Sequence, residues 1–250
     1  MPPKPRRDEI LYILNKQGFA TVKELVVLLR YSSATINRDL NAMEKAGLVK
    51  RSYGGVEATA AKKFPPLPLR YDLKKKEKRH IGKAAAAFVE DGDTLFIDAS
   101  TTTSYLENFL ESKKDLHVIT NNMLLAIHLS EKGIRVTVTG GNVAERPSML
   151  SGNAAIETVR CFRADKMFFS TGAFNEQGDI HGGDTYYALH RTMLKCANKV
   201  YFLADSDKRS SGFSQVLCTF AEVSAVISDF EFPDRTKSLY PETQFIHVEE

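Results

Sequence analysis

The 24 residues from Ser33 to Val56, SATINRDLNAMEKAGLVKRSYGGV, restrict the fold more than any other stretch of the chain. They demand a short polar helix, a glycine stop and a basic hairpin in direct succession. Ile36, Leu40 and Met43 recur at helical spacing, and Ser32 is placed to cap the helix they define. After Gly47, the segment Leu48 to Val56 reads as two short strands about a turn, with Gly54-Gly55 supplying permissive backbone. Upstream, Ile10, Leu11, Ile13, Leu14 and Gln17 predict a helix from Arg7 to Gln17 that Gly18 closes. Thr21 and Glu24 form a capping box ahead of Val22, Leu25, Val26 and Leu29, so a second helix begins at about residue 22. Only Arg30-Tyr31-Ser32 separates it from the third. Helices joined so tightly form a helix-turn-helix, and the hairpin after them forms a wing.

The third helix leaves Ser33, Ala34, Thr35, Asn37, Arg38 and Asn41 facing outward. Small, amide and guanidinium side chains of this kind can enter a major groove and reach base edges or phosphates. With Ser32 at the cap and Lys50, Arg51, Tyr53, Gly54 and Gly55 on the hairpin, they make a candidate surface for double-stranded DNA. A small basic helical domain also suits a protein partner, and the helical pattern alone does not separate the two. Charge adds to the case. Residues 1–83 carry 19 Lys and Arg against 8 Asp and Glu, a net +11, whereas the remainder carries 15 against 23, a net −8. The overall +3 conceals a basic amino-terminal third suited to a polyanion and an acidic remainder unsuited to coating DNA.

T-I-N-R-D-L at 35–40, A-G-L at 46–48 and R-S-Y-G-G-V at 51–56 resemble the amino-terminal domain of the DeoR family of bacterial repressors. The family usually has two basic residues before the Asp and a His before the glycine pair, where this chain has Asn37 and Tyr53. Asn pairs best with adenine and Arg with guanine, so the resemblance implies DNA binding with an operator preference of its own.

At 250 residues, 43% hydrophobic and 26% charged, the chain holds one small and one substantial domain. The expected division is a winged helix-turn-helix at 1–57, a linker at 58–73 and a larger domain at 74–250. Lys62-Lys63 and Pro65-Pro66-x-Pro68 exclude continuous helix from Ala58 to Leu69 and predict an extended linker. The charge run from Tyr71 to Arg79 either touches DNA or, the favoured reading, forms the solvated first turn of a helix continuing through Ile81, Ala84, Ala85 and Phe88. Cys161, Cys196 and Cys218 lack paired or metal-ligand spacing and read as buried thiols in a reducing cytosol, with no metal and no cofactor implied. Nowhere do eighteen apolar residues run together, so neither export nor membrane insertion is expected and the location is cytoplasmic.

From Asp91 onward, short apolar runs alternate with helical patterns. Strands are expected at 94–97, 118–120, 136–139, 166–169, 200–203, 225–227 and 245–248, with helices at 105–110, 124–130 and 187–197. The expected class is α/β with a mostly parallel sheet, in which ligands bind beyond the carboxyl ends of strands. Those positions are polar and glycine-rich. Asp98-Ala99-Ser100-Thr101-Thr102-Thr103-Ser104 enters a helix with free N–H groups and hydroxyls suited to an anion such as phosphate. Asn121 and Asn122 can read sugar hydroxyls, Gly140, Gly141 and Gly172 allow close backbone approach, and Lys208 can neutralise a phosphate. Each has a plainer explanation in capping, turns or solvation; their recurrence after successive strands is the stronger signal.

D-A-S-T-T-T at 98–103, T-N-N at 120–122, T-G-G at 139–141, S-G at 151–152 and A-D-S-D-K at 204–208 resemble the DeoR-family sensor domain, and the resemblance now covers nearly the whole chain. It implies a sugar-phosphate sensor of Rossmann-like fold related to ribose-5-phosphate isomerases, with phosphate near Ser100 to Thr103 and Lys208 in the site. Many members have a Glu where this chain has Tyr186-Tyr187, so either tyrosine is a candidate to lie over the ligand. The expected function is a ligand-responsive repressor of a carbohydrate-metabolism operon, acting as a homodimer or homotetramer on a symmetric operator. Two rivals are an isomerase-like enzyme with an appended DNA-binding domain and a non-sensing DNA binder. Against the enzyme, no isomerase-type catalytic carboxylate motif is visible; Asp98 and Asp205 sit at strand ends where turn capping explains them, so no catalytic residue is assigned.

Overall fold

Capping decides where the amino-terminal helices begin. The computed structural model describes residues 4–52, 54–59, 67–143, 148–210 and 215–249, and the chain divides into compact units at 1–73 and 74–250. In the first unit, α1 (Lys4–Gln17) starts three residues earlier than its apolar spacing predicts. The Thr21–Glu24 box is fully formed, the Thr21 amide donating to Glu24 at 2.7 Å and the Glu24 amide to Thr21 Oγ1 at 3.1 Å, and it starts α2 (Val22–Leu29). Arg30, at φ 55°, takes the left-handed conformation that turns the chain, and Ser32 Oγ accepts the Thr35 amide at 3.3 Å to start α3 (Ser33–Lys45). The hairpin β1 (Val49–Ser52) and β2 (Gly55–Ala58) pairs Arg51 with Val56, and an antiparallel bridge from Ala20 to Val56 ties it to the helices. Ile10, Leu14, Leu25, Ile36, Leu40, Met43, Val49 and Val56 close one core.

The expected linker is less featureless than its prolines suggest. β2 runs through Ala58, and α4 (Leu67–Asp72) ends the stretch. Pro68 is tolerated there because the first-turn N–H groups have no helical acceptor to lose. Residues 60–66 of that linker lie outside the described residues.

The second unit opens with α5 (Lys75–Ala86). Then follow β3 (Thr94–Ile97), α6 (Thr101–Ser104) with a 3-10 turn at Tyr105–Phe109, β4 (His117–Thr120), α7 (Met123–Glu131) and β5 (Arg135–Val138). The short pair β6 (Asn142–Val143) and β7 (Leu150–Ser151), α8 (Asn153–Arg160), β8 (Ala164–Phe169), β9 (Ala173–Phe174) and β10 (Asp179–His181) continue the chain. It closes with α9 (Asp184–Lys195), β11 (Ala197–Ala204), β12 (Val216–Thr219), β13 (Ala225–Ser228), α10 (Asp234–Leu239) and β14 (Gln244–His247). Seven strands form a parallel sheet in the order β14-β13-β11-β8-β3-β4-β5. All seven expected strands are in it, shifted by one residue at most at their carboxyl ends. Successive residues of β3 point to opposite faces: Phe96 joins Met167, Phe202, Leu189 and Met193 under α8 and α9, while Leu95 and Ile97 join Phe168, Ile81 and Leu125 under α5 and α7. An antiparallel sheet, β12-β10-β9, and the β6–β7 pair have no counterpart in the sequence reading.

Two expectations need correction. Cys161 is exposed, and only Cys196 and Cys218 are buried. The charge run is solvated at Lys75, Lys76 and Arg79, but Lys78 is 4% exposed and points into the unit.

The strand order makes a switch point. From β3 the chain adds β4 and β5 on one side, then returns to lay β8, β11, β13 and β14 on the other. The loops leaving β3 and β8 therefore diverge and leave a crevice at their carboxyl ends.

Candidate functional site

On α3, Ser33, Ala34, Arg38 and Asn41 are exposed and Thr35 and Asn37 half-buried, while Ser32 is exposed at the cap. The opposite face is anchored by Asp39, a fully buried carboxylate that accepts from Arg6 Nε and, at 3.2 Å, from Arg7 Nε of α1. On the hairpin, Lys50 and Gly54 are exposed and Gly55 half-buried; Tyr53 lies outside the described residues. Gly55 is set by packing, since a Cβ there would lie 2.6 Å from the Ala20 carbonyl oxygen. Arg51 is half-buried and folds back onto α3. Its Nη1 donates to Asn41 Oδ1 at 2.8 Å and its Nη2 to Asn37 Oδ1 at 2.5 Å.

The crevice of the second unit is built around buried hydroxyls. Ser100 caps α6 by accepting the Thr103 amide at 3.1 Å, and Thr101, Thr102 and Thr103 are at most 4% exposed. Lys208, on the turn after β11, donates to Thr102 Oγ1 and to Ser170 Oγ after β8, both at 2.6 Å. From α5, Lys78 donates to Thr101 Oγ1 at 3.4 Å. Two ammonium groups thus converge on adjacent threonines, and Lys208 also lies 3.5 Å from Asp205 Oδ2. The Lys208 turn is held from behind, the Ser206 amide and hydroxyl each donating to Asp229 at 2.7 Å.

Asp98 organises this crevice from within. Its Oδ1 accepts from the Ser100 amide (3.2 Å) and Thr103 Oγ1 (2.7 Å), and its Oδ2 from the Ser170 amide and His190 Nε2 (both 3.2 Å). Burial pushes this carboxyl up, but the hydrogen bond and charge of His190, with the Thr103 hydroxyl and Ser170 amide, overcome it and hold the group below the ordinary aspartate range. Both oxygens being occupied, Asp98 ties β3, α6, β8 and α9 together.

The other expected residues separate into two kinds. Asn122 caps α7 through the Leu124 and Leu125 amides and donates to Ser104 Oγ at 3.1 Å, so its amide is engaged at both ends. Asn121 donates to the Leu150 carbonyl at 3.0 Å, whereas its buried Oδ1 accepts no hydrogen bond among the described residues. Gly141 answers to the protein's own backbone: at φ 100°, a Cβ there would lie 2.4 Å from the Ser151 carbonyl oxygen. Gly140 is open at φ 67°, and Gly172 is exposed between β8 and β9. Tyr186 packs with Ala99 of the crevice loop and with Met149, while Tyr187 packs against the larger core.

A family model described as the DeoR C terminal sensor domain matches residues 73–230, and one described as the DeoR-like helix-turn-helix domain matches 6–62. The chain belongs to the DeoR family. Its relatives include the HTH-type transcriptional repressor CsqR of Escherichia coli (strain K12), 29% identical with 96% of this chain and 93% of the relative covered. The HTH-type transcriptional regulator GolR of Listeria innocua serovar 6a is 30% identical over 98% and 96%. The lactose phosphotransferase system repressor of Staphylococcus aureus (strain NCTC 8325 / PS 47) is 29% identical over 94% and 95%. Among solved structures, ribose 5 phosphate isomerase A from Neisseria gonorrhoeae aligns with 54% of this chain and 53% of its own at a TM-score of 0.40 and 14% identity.

For a DeoR-family chain, three crevice residues escaped the sequence reading. Lys78 was hidden in a run of like charges; its position three residues before Ile81, which is fully buried, was the available signal, since i and i+3 share a helix face. Ser170 follows Phe169 and continues the strand-end rule by one residue. His190 carries no local signal, because only the fold brings α9 to Asp98. Among the described residues no cluster of His, Cys, Asp and Glu is placed to hold a metal ion, and no helix is long and apolar enough to cross a membrane.

Proposed function

We propose that this DeoR-family chain is a transcriptional repressor of a carbohydrate-metabolism operon. In this reading α3 and the hairpin engage double-stranded operator DNA, and a phosphorylated sugar binds the crevice of the second unit. The observation that carries the sensor reading is the convergence of Lys78 and Lys208 on Thr101 and Thr102 at the switch point. Two cations and a set of buried hydroxyls match a phosphate dianion, which takes charge-assisted hydrogen bonds from ammonium groups and neutral ones from hydroxyls. Asn121 Oδ1 then serves as the acceptor for a sugar hydroxyl, its unmet hydrogen bond being the reason. Ser100, Thr103, Asn122, Gly140, Gly141 and Gly172 shape the crevice, and Asp98 positions it.

The protein senses and does not catalyse: Asp98, the carboxylate at the heart of the crevice, has both oxygens occupied and a lowered pKa, the reverse of a base tuned toward neutrality. The working species is a homodimer or homotetramer, because one winged unit covers only half of a symmetric operator. Effector acts through its differential affinity for the forms that favour and disfavour DNA.

The test is thermal unfolding of the full chain with pentose and hexose phosphates and their unphosphorylated counterparts. A ligand at one hundred times its Kd raises stability by about 2.7 kcal/mol. Lys78→Met and Lys208→Met should each abolish that shift and leave operator binding intact, whereas Arg38→Ala should weaken operator binding and keep the shift. Failure of every sugar phosphate to stabilise the wild type refutes the sensor assignment, and turnover of any of them refutes the non-catalytic one.

A further inference from the structure

Arg51 stands on a wing strand, where a cation ordinarily meets phosphate, yet its side chain faces the reading helix. Side chains alternate along β1: Val49 is buried, Lys50 exposed, Arg51 half-buried and Ser52 exposed. Arg51 therefore shares the face of Val49, against α3, and Lys50 keeps the solvent face. Asn37, Asn41 and Glu44 recur at i, i+4 and i+7 on the flank of α3 that meets this strand. Glu44 Oε1 accepts the Arg51 amide at 3.2 Å, and the two asparagine oxygens accept one N–H from each terminal nitrogen of the fork. Asn37 is engaged at its other end as well, its Nδ2 donating to the Ser33 carbonyl at 2.9 Å and to Ser33 Oγ at 3.3 Å. An amide committed at both ends cannot offer adenine the donor and acceptor pair that base requires.

We infer that Arg51 is the base-reading guanidinium of this protein, held on the surface of α3 by Asn37 and Asn41 to recognise a guanine. Of the five N–H groups on a guanidinium, two are given to the amides, which leaves enough for the paired contact to O6 and N7. Among the described residues the fork touches neutral amide oxygens and no carboxylate, so its charge stays available to the base. Asn37 and Asn41 are positioning residues: an arginine at 37 would present only donors to a second arginine. The inference rests on α3 being the DNA-reading helix.

The experiment is selection of sites from a randomised duplex pool with the full chain, followed by Kd values for the selected duplex and its single-base variants at several salt concentrations. Arg51→Ala and Arg51→Met should each erase the preference for one G·C pair in each half-site, about ten-fold or more, with other positions unchanged. The methionine variant keeps the apolar stem and covers the case in which the alanine variant unfolds. Asn37→Ala should weaken preference at that same pair and no other. The salt slope should be unaltered in Arg51→Ala, whereas loss of a phosphate contact lowers it by about 0.9. Uniform weakening across all sequences with a reduced slope, or full retention of the G·C preference in either Arg51 variant, overturns the inference. A wild type that selects no sequence overturns the assignment of α3 as the reading helix, and the inference with it.

Discussion

Gly82→Ala tests how closely α5 must approach the crevice. Gly82 is buried in mid-helix, and a Cβ there would lie 2.9 Å from both the carbonyl carbon and oxygen of Tyr105, at the end of α6, and 3.0 Å from the Tyr105 Cβ. Helix propensity alone favours alanine by about 1 kcal/mol. The obstacle is backbone, which cannot swing aside as a side-chain tip can, so α5 must withdraw by about half an ångström. A gap of that size forfeits about a quarter to a half of the dispersion energy across the face, here the contacts of Ile81 and Ala85, both fully buried. Overpacking against fixed backbone costs about 2–3 kcal/mol, so the net loss is about 1–2 kcal/mol. For a unit of this size that lowers Tm by about 2–8 °C. Lys78 lies one turn before Gly82 on the same face and withdraws with it, so stabilisation by sugar phosphates should fall while operator affinity is kept. Thermal unfolding with and without ligand measures both. An unchanged or raised Tm refutes the packing argument, and a lowered Tm with an undiminished ligand shift refutes the link from α5 to the crevice.

Asp39→Ala leaves Arg6 and Arg7 facing an empty buried site; urea unfolding should show a loss of about 2–3 kcal/mol, since charged partners are stranded. Asp98 has a folded pKa below its unfolded value, so its carboxylate contributes stability above the unfolded pKa and loses that contribution as pH falls through the folded one. Asp98→Asn should therefore be less stable than wild type at pH 7, and the difference should shrink toward acid pH; a difference that grows on acidification contradicts the assignment. Burial pushes the Cys218 thiol up to about 12, whereas Cys161 is exposed. Native protein should accordingly show one fast-reacting thiol in a reagent titration, lost in Cys161→Ser, with the others released only on unfolding.

Much of the architecture was legible because it rests on local signals. The Thr21–Glu24 box and the Ser32 cap satisfy helix-end amides within three residues, so the starts of α2 and α3 were readable to the residue. The central strands are buried on both faces and read as continuous apolar runs. Of the strands that went unread, β6, β7, β9 and β10 are two or three residues long and carry no period to detect, and β12 is four residues long. Within the crevice, hydroxyls following β3 were visible through strand-end reasoning. Lys78 was masked by neighbours of like charge, and Asn122, read as a ligand amide, is a helix cap in competition with that role.

By itself the sequence determined the two kinds of domain, the parallel sheet and the strand ends to inspect, since these follow from periodicity, capping and composition acting over a few residues, while the family was legible in the resemblance of short motifs. Only the tertiary structure decided which polar groups meet. It brought Lys78, Lys208 and Ser170 to the threonines after β3, set His190 against Asp98, and turned Arg51 inward onto Asn37 and Asn41. Hydrogen bonds and charge act over a few ångströms between residues up to 106 positions apart, and no local pattern encodes that proximity; the order of strands in the sheet does.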